Sequence, residues 1–291
     1  METKEKETVF TKGSIISAKA FKWVKKLWDK NPREREIAVA KLKMMDDPCA
    51  ATEVVKKMSD KDPKVRMEVA HYFGKKCNET AIPVLNTLAK DNNPDVRGAA
   101  MLALGHYKGA DRDTVLLLLK RGLSDEDSDP INAQEVKEAA IEALGRLGGE
   151  KAARILKLAI DDPDPHVREE ALYWGSKTSM KIFQQLVIDA LNDQDEKVRG
   201  AAKDILVEHM NKSTLLKLVR IYAQNSDESK IRKEIREIIV ETSDSTALAY
   251  INALDHPTTY VQQHILASLE GKAKTLPPLL NGEDKKEEIV P

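Results

Sequence analysis

Apolar residues along the chain recur at helical spacing, and short polar turns interrupt them at regular intervals. Residues 80–109 show the pattern most clearly, with one apolar stripe over residues 82–88, the polar stretch Asp91-Asn92-Asn93, and a second stripe over residues 96–104. Apolar positions three and four residues apart form one face of a helix, and the polar break between the stripes marks a turn. The unit is therefore predicted to be helix, turn, helix.

The turn carries residues that favour the start of a helix. Asn93 can accept hydrogen bonds from the first free N–H groups, Pro94 suits the first helical position, and Asp95 lies at the positive end of the helix dipole. A phrase made of an acidic residue, proline, a spacer and Val-Arg recurs in full or in part. Its arginine-equivalent positions are Arg35, Arg66, Arg97, Lys137, Arg168, Arg199, Arg232 and Gln262.

These positions are 31, 31, 40, 31, 31, 33 and 30 residues apart. A nearly fixed period of this length is typical of stacked repeats, because each unit is too small to bury its own apolar face and packs against a neighbour. The sequence predicts an all-α fold, an α-solenoid of about eight two-helix repeats.

Small residues follow the repeated phrase. Ala99, Ala100 and Ala103 follow Arg97, and glycines lie seven or eight residues after the arginine position at Gly74, Gly105, Gly145 and Gly175. With these residues the chain resembles the HEAT-like repeats of the phycobilisome-lyase type, over about residues 14–270. The resemblance implies that the Val-Arg helix lines the concave side, and that the arginine bridges to an acidic turn residue of a neighbouring repeat. The structural ladder that it implies consists of Arg66, Arg97, Arg168 and Arg199.

The residues themselves agree with such a ladder. An arginine one position after a buried valine lies at the edge of the apolar stripe, where it can bury its stem and reach Asp62, Asp91 or Asp193.

The repeat domain is predicted over residues 14–271, between a flexible N-terminus (residues 1–13) and a flexible C-terminal tail (residues 272–291). Residues 14–28 form a basic amphipathic stretch, which we interpret as the first helix of the first repeat instead of a membrane-surface helix. The longest interval places an acidic insertion near residues 124–134. We expect a solvated, mobile loop there, and its role as a binding element is left open.

The overall charge is nearly balanced, with 47 basic and 48 acidic residues. No global field therefore favours nucleic acid or an anionic membrane. Locally, residues 1–35 hold ten basic and five acidic residues, whereas residues 124–170 hold six basic and thirteen acidic ones. Cys49 and Cys77 lack the spacing of a zinc site or a disulfide framework, and no stretch is long and apolar enough to span a membrane. We expect a cytoplasmic protein without a cofactor.

Several enzymes use similar scaffolds, and the sequence can be compared with each. A deoxyhypusine hydroxylase would need His-Glu pairs, and none of the six histidines precedes a glutamate. An alkylpurine DNA glycosylase would need a basic concave face, but the positions one and five residues after each arginine are mixed to acidic, which disfavours nucleic acid. Bilin-lyase activity has no specific support. An enzyme or enzyme subunit of the last two kinds stays the alternative.

The leading hypothesis is a non-enzymatic scaffold that binds a protein or peptide segment, with basic residues, on the concave face. Aromatic anchors within a charged rim are typical of protein interfaces, and Tyr173 is a better candidate for an exposed anchor than Trp174. No catalytic or metal-binding residue is predicted. The predicted partner-binding residues are Met67, His71, Leu102, Glu138, Glu142, Glu169 and Tyr173.

Overall fold

A computed structural model describes residues 8–11, 14–45, 47–76, 80–107, 109, 111–225, 229–242, 248, 251–252 and 255. The chain divides into two compact units, the first within Met1–Met180 and the second within Lys181–Pro291. One domain over residues 14–271 stays a prediction. The predicted C-terminal tail and the repeat around Gln262 lie outside the described residues.

The first unit opens with two short strands and continues as helices. Strand β1 (Thr8–Thr11) pairs antiparallel with β2 (Ser14–Ser17). The α-helices are α1 (Ala18–Lys26), α2 (Pro32–Met44), α3 (Ala51–Val54), α4 (Pro63–Lys76), α5 (Ala81–Leu88), α6 (Pro94–Leu104), α7 (Arg112–Gly122), α8 (Pro130–Leu147), α9 (Gly149–Leu156) and the first part of α10 (Pro165–Asp189). Short 3-10 helices cover Pro48–Ala50, Val55–Ser59 and Lys157–Ala159.

The second unit holds the last part of α10, because the unit boundary follows Met180. Just before that boundary, Ser179 has non-helical backbone angles, a φ of −162° and a ψ of 91°. The further elements are a 3-10 helix (Ala190–Asn192), α11 (Glu196–Glu208), α12 (Lys212–Gln224) and α13 (Lys230–Glu241). The predicted all-α solenoid of two-helix repeats is confirmed, with the strand pair as a small addition.

The Val-Arg helices of the first unit form a continuous row, in which α2 packs on α4, α4 on α6, and α6 on α8. Glycines allow this close packing. A Cβ atom placed on Gly74 would lie 2.8 Å from the Cβ of Ala103, and one on Gly105 would lie 2.8 Å from the Cα of Ala143. Any side chain at either position would force the helices apart.

Buried valines and polar caps fix where each Val-Arg helix lies and where it begins. Val65, Val96 and Val136 are fully buried, which contributes roughly 1.5–3 kcal/mol for each side chain. At the helix start, the Asn93 side chain accepts a hydrogen bond from the Val96 N–H at 3.2 Å, as the sequence predicts. A cap of this kind contributes about 1 kcal/mol.

The structure corrects the prediction for the N-terminus. Residues 8–11, which we expected to be flexible, form a strand, and the first helix begins at Ala18 instead of Ser14. The two strand segments, TVFT and SIIS, are rich in the β-branched and aromatic residues that favour strands. Ser17 then caps the helix by accepting a hydrogen bond from the Ala20 N–H at 3.3 Å.

The predicted acidic insertion near residues 124–134 is a loop only over residues 124–129, where Ser124, Glu126, Ser128 and Asp129 are exposed. Helix α8 already begins at Pro130, and the Asp129 side chain caps it by accepting a hydrogen bond from the Ile131 N–H at 2.9 Å. The side chains of Asp125 and Asp127 are only 13% and 15% exposed, because an arginine binds both. The extra residues therefore lengthen a helix and supply ion-pair partners. Within the described part of the chain, no helix is both long and apolar enough to cross a membrane.

Candidate functional site

The predicted partner-binding residues all lie on Val-Arg helices of the first unit. We call the side of α4, α6, α8 and the first part of α10 that carries them the inner face. Tyr173 is 42% exposed, the side chain of His71 is 40% exposed, and the others are partly buried. Their helices are α4 for Met67 and His71, α6 for Leu102, α8 for Glu138 and Glu142, and α10 for Glu169 and Tyr173.

Four carboxylates of α8 and α10 form an acidic cluster, made of Glu138, Glu142, Glu169 and Glu170. Partial burial raises the pKa of Glu170 above its usual value, and the negative charges of the other three carboxylates raise it further. A hydrogen bond from Trp174 acts in the opposite direction but does not cancel these effects. The cluster thus keeps negative charge that its own surroundings do not neutralise.

Among the residues that the structure describes, few cations compensate the acidic cluster. Glu142 pairs with Arg146 of the same helix at 2.5 Å. Glu169 lies 3.8 Å from the ring of His166, and Glu138 accepts a hydrogen bond from the neutral Gln134 amide at 2.8 Å. The cluster is therefore suited to attract positive charge from outside.

An aromatic pair borders the acidic cluster. The rings of Tyr173 and Trp174 meet edge to face, with centroids 5.4 Å apart. Trp174 packs against α8, since a Cβ atom on Gly145 would lie 2.2 Å from its ring. The ammonium of Lys177 lies 4.0 Å from the centroid of the Tyr173 ring and donates a hydrogen bond to the Tyr173 hydroxyl. Tyr173 is nevertheless 42% exposed, more than Trp174.

A second region of the inner face, the basic depression, lies over α4 and α6. It has a volume of about 600 Å³, and its small or apolar members include Gly74, Leu102 and Ala103. The polar side chains around it are Lys43, His71, Lys75, His106 and Arg146. Two predicted residues, His71 and Leu102, thus belong to a positively charged surface, while Met67 lies in neither region.

Sequence reasoning missed most of the basic depression, although a signal was present. Lys75, His106 and Arg146 lie nine residues after Arg66, Arg97 and Lys137 respectively. Positions one, five and nine residues after the arginine lie on one helix face, and the prediction of a mixed to acidic face rests on the first two rows alone. In the first unit the third row is mostly basic, whereas the first row is mixed to acidic; the third row there consists of Met44, Lys75, His106, Arg146 and Lys177.

The arginines of the repeated phrase bind aspartates of the next turn. Arg66 donates two hydrogen bonds of 2.7 Å to the Asp91 carboxylate, and Arg97 binds Asp125 at 2.8 and 2.9 Å and Asp127 at 2.7 Å. Each guanidinium also donates to backbone carbonyl groups of its own turn. Bidentate pairs of this kind are the strongest type of charged hydrogen bond.

These arginines change the titration of their partners. Burial raises the pKa of Asp91, but hydrogen bonds from Arg66 and the Asn93 N–H outweigh burial and hold that pKa below its usual value of 3.8. Asp60 has a lowered pKa for the same reasons, with Arg35 as its partner. These aspartates stay charged because the fold supplies their counter-charges.

Other members of the row differ in their partners. Lys137 contacts the Asp162 carboxylate at 2.8 Å, and Arg168 donates to the backbone carbonyl of Asp162 at 2.9 Å. In the second unit, Arg199 contacts Glu234 of α13 at 3.2 Å, so its acidic partner is a helix residue. Asp62, considered as a partner from the sequence, instead accepts a hydrogen bond from the Lys64 N–H at 2.9 Å and caps α4.

Comparisons with known proteins agree with the repeat pattern. A family model described as HEAT repeats matches residues 18–105, 52–134 and 86–173, which together cover more than half of the chain. No curated protein gives a match. Within the described residues, no group of three or more His, Cys, Asp or Glu side chains is placed to hold a metal ion.

Three solved structures illustrate the similarity in fold. The complex of CpcE and CpcF of phycocyanin lyase from Nostoc sp. PCC7120 has 18% identity and a TM-score of 0.46, with 87% of this chain and 96% of that chain covered. Human deoxyhypusine hydroxylase, in complex with glycerol, has 21% identity and a TM-score of 0.38, with 87% and 96% covered. An engineered protein has 17% identity and a TM-score of 0.42, with 86% and 78% covered. Because these three TM-scores are all below 0.5, the assignment of the chain to a family rests on the family model alone.

Proposed function

This chain belongs to the HEAT-repeat family, and we propose that it is a non-enzymatic scaffold whose inner face binds a basic segment of another protein. The observation that carries the proposal is an exposed tyrosine, Tyr173, beside four carboxylates with little compensating charge. Contacts of the segment with Met67 on α4 and Leu102 on α6 are part of the same proposal.

Tyr173 supports the proposal as an anchor. Its neighbour Trp174 fills the space over Gly145 and meets the Tyr173 ring edge to face. Lys177 also lies against the ring, and Tyr173 is still 42% exposed. A tyrosine on a rigid support can bury its ring against a partner at a low cost in side-chain entropy.

The acidic cluster supports a basic partner. A lysine or arginine placed near Glu170 would interact favourably with all four carboxylates. Its positive charge would also lower the pKa of Glu170, which the neighbouring carboxylates raise. Salt would weaken this attraction, since the cluster is only partly buried. We therefore expect an affinity that falls with rising ionic strength.

The experiment is a selection from a phage-displayed peptide library on the purified full chain. We expect enriched peptides to contain lysine or arginine, and their affinity to fall about tenfold in Tyr173→Ala. The charge reversal Glu169→Lys is expected to reduce affinity as well. Circular dichroism checks that both variants stay as helical as the parent protein.

Matched controls lie outside the inner face. Leu117→Ala removes an apolar side chain that is 59% exposed on α7, and Asp161→Lys reverses an exposed charge in the turn before α10. Both should leave the affinity unchanged. Equal losses in the controls, or enriched peptides without basic residues, would show that the inner face is not the binding surface. A cytoplasmic location stays a prediction from the sequence.

A further inference from the structure

We propose that the bound segment is bipolar, with an acidic residue that enters the basic depression while its basic residues contact the acidic cluster. This inference rests on the proposed function and adds the chemistry and the spacing of the ligand. Its basis is the juxtaposition of two oppositely charged regions on one face of the first unit.

The depression has room for a side chain, since its volume is about 600 Å³. Gly74 and Ala103 form part of its floor, where α4 and α6 pack too closely to admit a further side chain, and Leu102 adds an apolar surface beside them. Longer basic side chains surround this centre. An extended peptide crossing α4 and α6 could place one carboxylate among them.

The surrounding cations are only partly neutralised. Lys43 pairs with Glu68 at 2.5 Å, and the same carboxylate contacts the His71 ring at 3.1 Å. Lys75, in contrast, contacts only the Met44 thioether, at 3.7 Å, and no carboxylate of the described residues lies within ion-pair distance of its ammonium. Lys75 is therefore the cation most available to a ligand.

Arg146 joins the two regions. One of its guanidinium nitrogens pairs with Glu142 of the acidic cluster at 2.5 Å, and another donates to the His106 ring in the basic depression at 3.1 Å. A ligand of a single charge would meet attraction in one region and repulsion in the other. A segment with both charges, in the matching order, is attracted by both.

The fold also sets the spacing of the two charges. Neighbouring packed helices lie about 8–10 Å apart, so the centre of the depression, over α4 and α6, is about 20 Å from the centre of the cluster, on α8 and α10, although the two regions meet at Arg146. An extended chain advances roughly 3.3 Å per residue. The acidic residue should thus be about six residues from the basic ones.

The test uses labelled extended peptides and fluorescence anisotropy. One probe carries two adjacent arginines and a glutamate about six residues away, a second has glutamine in place of that glutamate, and a third has the glutamate next to the arginines. We expect the first probe to bind about threefold to fivefold more tightly than the other two. In Lys75→Gln this preference should disappear, while Lys157→Gln, which alters an exposed lysine outside the inner face, should retain it.

The outcomes separate this inference from the proposed function. If all three probes bind equally well, the basic segment is bound but the depression takes no carboxylate, and only the bipolar ligand is disproved. If none of the probes binds, both proposals fail. Competition by inorganic phosphate at low millimolar concentration would indicate a site for free anions and would also overturn the bipolar ligand.

Discussion

Acidic residues of the first unit occur in two opposite electrostatic settings, the turns between helices and the inner face. At the turns, Asp60 and Asp91 each receive paired hydrogen bonds from an arginine and titrate below their usual range. On the inner face, Glu170 is surrounded by other carboxylates and titrates above its usual range. The same type of charged group is thus stabilised in one setting and destabilised in the other.

The difference separates charges that hold the repeats together from charges that are available to a partner. A turn aspartate has its counter-charge within the fold, so the pair stabilises the native state and offers little to a ligand. The inner-face cluster has an unfavourable energy that a basic ligand would remove. We infer that the arginine row is structural and that the cluster serves binding.

The largest expected effect comes from breaking the arginine row. Arg97→Ala should lower the free energy of unfolding by about 3 kcal/mol, because Asp125, whose side chain is 13% exposed, would be left without its counter-charge. Urea denaturation followed by circular dichroism measures the loss.

Arg33→Ala serves as the matched control. Arg33 also pairs with a carboxylate, that of Glu36, but its side chain is 67% exposed. The control should change the free energy of unfolding by less than about 0.5 kcal/mol. Losses of the same size in both variants would contradict a special structural role for the arginine row.

A substitution in the acidic cluster should change the free energy of unfolding by a smaller amount and in the opposite direction. The raised pKa of Glu170 means that its charged form is disfavoured in the fold, so any stability it contributes exists at low pH and is lost as the pH rises through the raised pKa. Glu170→Gln should therefore stabilise the protein at pH 7, by about 0.5 kcal/mol. This gain should vanish in acid, where the glutamate is protonated.

Asp91→Asn is the contrasting variant. The pKa of Asp91 lies below 3.8, so its contribution to stability is complete well above that pH and is lost as the pH falls through the lowered pKa. Asp91→Asn should destabilise the protein at pH 7 and have less effect in strong acid. If Asp91→Asn stabilised the protein at pH 7, or Glu170→Gln destabilised it, the contrast between the turns and the inner face would be contradicted.

Local patterns predicted most of the fold. The signals that start α6 lie within a few residues of one another, namely the cap Asn93, the first helical residue Pro94 and the buried Val96. The start of this helix could therefore be predicted directly from the sequence. The strand pair over residues 8–17 was missed because helical spacing in a basic stretch outweighed the β-branched residues at its start. In the acidic insertion, the loop over residues 124–129 was predicted. The ion pairs of Asp125 and Asp127 were not, because their partner Arg97 is far away in sequence.

The candidate site was less predictable because its charges come from separate repeats. The sequence indicated the glutamates and Tyr173, which are close together along α8 and α10. The basic depression combines Lys43, Lys75 and Arg146, which belong to three different helices. Lys75 and Arg146 share one row of the repeat and could be recognised from the sequence, whereas the contribution of Lys43 becomes evident only when the packing of the helices is known.

The central claim is that the acidic cluster is uncompensated until a basic segment binds. The most direct test is an NMR titration of the side-chain carboxyl groups of Glu170 and Asp91, with and without a basic peptide selected on the protein. We predict a Glu170 pKa above 4.5 that falls when the peptide binds, and an Asp91 pKa below 3.8 that does not change. A Glu170 pKa below 4.5 in the free protein, or one that the bound peptide leaves unchanged, would contradict the account.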